Sequence, residues 1–431
     1  MLPEVTQFED VVKLVSDTGI QFMDFAFHQD QITPVNGAFT LVDGDVLCRL
    51  QRHTDGSFFY DIDSEKRQSA EPTLDMSILK SLELLDGVWL PLPFFRYMPP
   101  HTFDQGPSNW SRMRFVKLPE PDIDGNTYRL TLAFDTRVIP KESSTAYLAP
   151  NDEDVSSGVS FRVATRLAQM RWFQDLPWVK EWLLGVFRDA SIRISRETLL
   201  DQEEEKHHQA HYLNLLSLLE KIEQVGPNPR QPVVKVPELI VVANGADSQS
   251  ELIPVDLILD VGNSRTCGIL IENHGVDRMG LRNNYVLELR DLLAPEHIYN
   301  QPFESRVEFS NTSFGKDHCS FKSGRGDAFQ WPTIARVGNE AGRLASQRSG
   351  TEGSTGLSSP KRYLWDENAY DHGWRFNNAY VKTDSEPPAT AAPLSHLINN
   401  VGEALYSLDE DDWVPVFKPL YSRSSLMTFM L

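Results

Sequence analysis

Asp260, Gly262, Asn263, Ser264 and Thr266 crowd into one short polar turn, LDVGNSRTCGILIE, between two apolar runs. A glycine at the end of a strand lets the backbone come close to a ligand. Successive amides in such a bend can then point together at an anion. Asn263, Ser264 and Thr266 add side-chain donors. Asp260 repels phosphate by itself. Its chemical use beside phosphate is to hold a divalent cation through water, the coordination magnesium prefers. Arg265 either clamps a phosphate or turns to solvent. An ordinary β-hairpin with an aspartate at its strand end accounts for the same string, so the turn alone leaves both readings open.

The turn needs two strands to hold it, and the flanking apolar runs suit buried strands. Further on, RVGNEAGRLASQ spans Arg336–Gln347 and SSPKRYLWD spans Ser358–Asp366, with Lys361 in a Pro-Lys-Arg context. Between them SQRSGTEGSTGLSS (Ser346–Ser359) reads as an exposed mobile loop. Arg306 to Arg362 holds nine Lys/Arg (Arg306, Lys316, Lys322, Arg325, Arg336, Arg343, Arg348, Lys361, Arg362). The same stretch holds five Asp/Glu (Glu308, Asp317, Asp327, Glu340, Glu352), so 9 − 5 leaves +4 in a chain of −20. A local positive field of this kind favours an anionic ligand.

The turn resembles the first phosphate loop of the actin, sugar-kinase and heat-shock-chaperone ATPase superfamily. Type III pantothenate kinases carry a very similar string. The Arg336–Gln347 and Ser358–Asp366 segments and the terminal SSLMTFML resemble chaperone and actin segments in the same order, so the resemblance covers Asp256–Leu431. The whole chain, with its acidic N-terminal part and the ending YSRSSLMTFML, is similar to the N-terminal portion of the SrfB virulence-factor family of bacteria. The resemblance implies ATP and magnesium as cofactors and a partial ribonuclease-H-like ATPase subdomain. It gives Asp260 the water-mediated metal role and Lys361 the catalytic role of orienting the attacking water at the γ-phosphate. Gly262, Asn263, Ser264, Arg265 and Thr266 become the phosphate-binding set, although Arg265 stands where the chaperones have an aromatic. A second phosphate loop, a catalytic carboxylate and adenosine-binding glycines are not found between Leu270 and Leu431. The ATPase domain is therefore expected to be truncated, with weak or no hydrolysis by this chain alone. A non-catalytic scaffold and a small-molecule kinase are the competing readings.

At 431 residues the chain suggests two or three domains. The expected class is α+β and α/β. Residues 1–225 form a β-rich then helical domain that would bind protein partners, 226–254 a linker and leading strand, and 255–431 the partial ATPase half. In the first part AFTLVDGDVLCRL reads as a hairpin around Asp43-Gly44. MRFVKL and TYRLTLAF read as another, and GVWLPLPFF as a buried loop. Helical spacing runs through RLAQMRWFQ and WVKEWLLGVF, from Ser195 to Gln224, and through LSHLINNVGEALYSL. The net charge of −20 argues against nucleic acid as a partner. No run reaches the roughly 18 apolar residues of a membrane span. Three scattered cysteines fit a reducing, cytoplasmic setting.

Other motifs carry less. His207 and His211 share a helix face, but without an HExxH string their pairing is weak support for zinc. Arg325-Gly326-Asp327 is a tripeptide frequent by chance, and Asp122-x-Asp124-Gly125 lacks the full ladder of a calcium loop.

Overall fold

A computed structural model describes residues 11–32, 36–53, 55–62, 66–98, 102–141, 148–194, 204–219, 233–244, 254–272, 284–310, 314, 320–326, 328–331, 333–347, 354–368, 370, 374–375, 377 and 421–431. The protein is mixed α+β, built from small sheets and a few helices, and the chain divides into two compact units. One unit comprises Gln7–Ser248 with Cys319–Ala328; the other comprises Met1–Thr6, Gln249–His318 and Phe329–Leu431.

Two sheets form the heart of the first unit. In one, strands Ile20–Phe27, Tyr128–Asp135, Ser111–Lys117 and Trp89–Pro91 run in that order, each antiparallel to the next. Tyr128, Leu130, Leu132 and Phe134 are buried, as their period of two predicts, but so are Thr131, Ala133 and Asp135 on the opposite face. GVWLPLPFF is buried and forms two short strands rather than a loop, Trp89–Pro91 and Phe94–Met98. Pro91 is tolerated because its strand lies at the sheet edge. The Asp43-Gly44 hairpin forms with both residues at positive φ, 52° and 89°.

In the second sheet, Glu238–Val242 pairs in parallel with Val11–Val15 and antiparallel with Ser160–Val163. The strand that the sequence places ahead of the second domain thus belongs to the first unit. Phe94, Trp110, Phe134 and Phe161 pack as a cluster with ring centroids 4.9 to 5.9 Å apart. Each such buried aromatic contributes roughly 1.5–3 kcal/mol. Helices Leu167–Asp175, Pro177–Ile194 and Glu204–Ser217 follow the predicted helical periods; within the Ser195–Gln224 prediction Leu218 and Leu219 form a turn after the helix, and 195–203 and 220–224 lie outside the described residues.

In the other unit, Val255–Val261 and Arg265–Glu272 form an antiparallel hairpin, extended by Asn284–Val286 and, beside Arg265, by Phe303–Glu304. These strands were expected to be buried, and that expectation is corrected. Leu257 is 51% exposed and Ile258 56% exposed. Among the described residues no helix or second sheet covers that hairpin with the α/β layer of a ribonuclease-H-like domain. The unit's core lies elsewhere, on Arg306–Phe309, Ala335–Val337 and Gly356–Ser358, where Val307, Phe309, Trp374, Tyr421 and Leu426 pack together. Part of the predicted Ser346–Ser359 loop is structured, because helix Gly338–Gln347 and strand Gly356–Ser358 enter it from either end. The helix predicted in LSHLINNVGEALYSL lies outside the described residues.

Candidate functional site

The turn is built on close backbone contact. Gly262 N–H donates to the Arg265 carbonyl at 2.9 Å. A Cβ at position 262 would sit 2.6 Å from that oxygen, so a glycine is required there for space; its φ is not in the left-handed region. Ser305 fastens the turn. Its hydroxyl donates to the Gly262 carbonyl at 2.9 Å and its N–H to the Ser264 carbonyl at 3.0 Å. Thr266 is buried and shares a hydrogen bond with the same hydroxyl at 2.8 Å. Its role is thus to support the turn.

Asn263 and Ser264 are exposed, and among the described residues their backbone amides have no partner. The exposed Arg265 guanidinium donates to the Pro302 carbonyl at 3.3 Å. Asp260 is exposed on the strand face shared with Asp256 and Ile258, opposite Cys267, and among the described residues its carboxylate has no hydrogen bond or ion pair. Lys361, 100 residues away in sequence, brings its Nζ to the Val261 carbonyl at 2.8 Å.

The two segments downstream of the turn converge on it. Ser359 N–H donates to the Ser305 carbonyl at 2.6 Å, and Glu304 N–H donates to the Asn339 side chain at 3.3 Å. Ser305 and Asn339 are the residues that sequence reasoning missed. Serine and asparagine in loops are too common to signal their partners; only the fold reveals that they tie the three segments together.

Several cations of the predicted positive field have acidic partners. Lys316 and Arg348 lie outside the described residues. Arg306, Arg336 and Arg343 pair with Glu308, Glu340 and Asp291. Lys322 and Arg325 belong to the first unit, where they meet Glu181 and Asp135. Most of these cations are thus neutralised locally. Burial pushes the Glu340 carboxyl up to about 7 against the attraction of Arg336, and it also lowers the Arg336 guanidinium.

Among the described residues no group of three or more His, Cys, Asp and Glu is placed to hold a metal. His208 and His211 instead face Phe187 in the core, with ring centroids 6.0 and 5.9 Å away, and His211 Nδ1 lies 3.0 Å from the Ser81 hydroxyl. Desolvation lowers both imidazoles to about 4. Arg325 of the Arg-Gly-Asp tripeptide is buried 3.6 Å from Asp135, a structural role. No described helix is long and apolar enough to cross a membrane.

No match was found among curated proteins or among solved structures. The family model described as virulence factor SrfB matches residues 1–431. A match over all 431 residues shows that the chain belongs to the SrfB virulence-factor family.

Proposed function

We propose that the Gly262–Ser264 bend with Asp260 and Lys361 is the phosphate end of an ATP- and magnesium-binding module of actin/heat-shock-chaperone type. The observation that carries this reading is the contact of Lys361 with the Val261 carbonyl, which brings an ammonium to the hairpin end that holds Asp260 and the two free amides. These donors fit the group. Amides of Asn263 and Ser264 suit phosphate oxygens, and one exposed carboxylate suits a magnesium ion that keeps its waters. When bound, magnesium would supply charge neutralisation for the phosphates.

The chain's own residues then have separate tasks. Gly262 lets the bend close, while Ser305 and Thr266 hold it rigid. Lys361 exchanges its carbonyl partner for a phosphate oxygen and stabilises charge there. Asp260 is the carboxylate this reading assigns to the cation, and hydrolysis by this chain is expected to be weak or absent. A titration of fluorescent ATP with magnesium tests the reading: Asp260→Ala is expected to weaken binding by about tenfold, the scale of one lost charge interaction. Equal affinity of the two proteins counts against it.

A second reading, a non-catalytic scaffold that keeps the turn, is favoured by the solvent exposure of Asp260 and by the absence of a described wall around it. Under that reading a partner is retained at constant stoichiometry whether or not nucleotide is present. In either case the β-rich first unit is proposed as the surface for protein partners.

A further inference from the structure

The Val255–Val261 strand is the edge of its sheet, paired on one side only among the described residues. Which of its backbone groups face outward follows from the turn. The bond from Gly262 N–H to the Arg265 carbonyl makes those two a hydrogen-bonded pair, so Asp260–Cys267, Ile258–Ile269 and Asp256–Ile271 are hydrogen-bonded pairs as well. Val255, Leu257, Leu259 and Val261 therefore direct their N–H and C=O groups away from the sheet. The acceptance of Lys361 Nζ by the Val261 carbonyl agrees with this assignment. On the other side of the hairpin Leu287 N–H meets the outward Gly268 carbonyl at 2.8 Å, as the same alternation requires. Lys361 thus closes one end of the edge. The groups of Val255, Leu257 and Leu259 have no partner among the described residues.

An open edge roughly 20 Å long is a ready template for one more strand. Its side chains say which strand. Leu257 and Ile258 are exposed apolar groups on opposite faces, and exposed Asp256 and Asp260 flank Ile258. Trp365, 75% exposed, follows Lys361 by four residues, and large exposed aromatics are frequent anchors of protein interfaces. A second copy of this chain fits poorly. The antiparallel register that pairs the whole strand with itself sets Asp256 directly opposite Asp260 at both ends, and like charges placed so repel.

We propose that this edge docks an extended segment of a separate protein partner, one in which apolar residues alternate with lysine or arginine that face Asp256 and Asp260. Main-chain hydrogen bonds to Val255, Leu257 and Leu259 supply the affinity, and the two carboxylates set the choice of partner. The proposal is independent of nucleotide binding at the turn.

The test titrates the full chain with a fluorescein-labelled peptide of alternating lysine and valine, and with one of alternating glutamate and valine, read by anisotropy. The lysine peptide is expected to bind at least about tenfold more tightly. Asp256→Lys with Asp260→Lys is expected to reverse the preference. Both aspartates are exposed, so the double variant should fold, and a general attraction of an acidic protein for cations would survive it. Hydrogen exchange supplies the second readout: the amides of Val255, Leu257 and Leu259 are fast in the free chain and slow with the lysine peptide. Equal affinity for the two peptides, or a preference unchanged by the charge reversal, overturns the proposal. Amides already protected in the free chain overturn it too, since the chain then fills its own edge. So does a concentration-dependent dimer that protects them, which makes the occupant a second copy.

Discussion

Lys361 Nζ donates to the Val261 carbonyl at 2.8 Å, joining positions 100 residues apart at the end of one hairpin. The contact keeps a cation beside the bend without pairing it to a carboxylate. Lys361→Met should therefore leave the hairpin folded and weaken ATP binding about tenfold, the loss of one charge-assisted hydrogen bond. Affinity measured with magnesium present checks this, and circular dichroism checks the fold.

Gly262→Ala tests the closeness of the bend. The added Cβ would meet the Arg265 carbonyl at 2.6 Å, which forces the backbone to shift. A cost of about 1–3 kcal/mol is expected, the range for a side chain inserted where space is missing. A urea titration reads it, and an unchanged midpoint contradicts the described turn.

Acid should weaken the first unit through His208 and His211. Both are held near 4 when folded, below the usual histidine value of 6.5, so the unfolded chain binds more protons between those two pH values. Stability is then lost as pH falls from 6.5 towards 4, by up to about 1.4 kcal/mol per pH unit for each ring. Urea unfolding at several pH values measures the slope. His208→Phe should reduce it.

The other unit should respond with the opposite sign. Glu340 is raised to about 7, so the folded form holds a proton that the unfolded form has released. Its contribution is present below pH 4.5 and is lost as pH rises through 7. Glu340→Gln is expected to flatten this dependence and to stabilise the unit at pH 8, which hydrogen exchange of helix Gly338–Gln347 can follow.

Arg325→Ala removes a cation from the fully buried Asp135 carboxylate, leaving Arg137 at 3.2 Å as a partner. A loss of about 3 kcal/mol is expected, the lower end for breaking a buried pair. Thermal unfolding checks the value. A surface tripeptide with no structural role would give no change.

Periodicity made much of the first unit legible. The alternation in TYRLTLAF and the Asp43-Gly44 turn each follow from sterics within a few residues, and both form where expected. The exposure of Leu257 and Ile258 was not legible, because an apolar run reports what a strand can bury and leaves open what lies against it. Charge counting along the stretch could not show that Lys322, Arg325 and Arg343 meet Glu181, Asp135 and Asp291, acids that lie outside it. For the candidate site, sequence named Gly262 and Lys361 but not Ser305, whose three bonds to the turn depend on a strand 40 residues downstream by rough count, a separation no local pattern encodes.

In the proposed function the free amides of Asn263 and Ser264 receive phosphate beside a cation held by Asp260. Nuclear magnetic resonance of 15N-labelled protein during an ATP titration reads those amides directly. Both resonances are expected to shift and saturate when magnesium is present, and Asp260→Ala to abolish the dependence on magnesium. ATP binding that leaves both amides unmoved, or no binding at all, would contradict it.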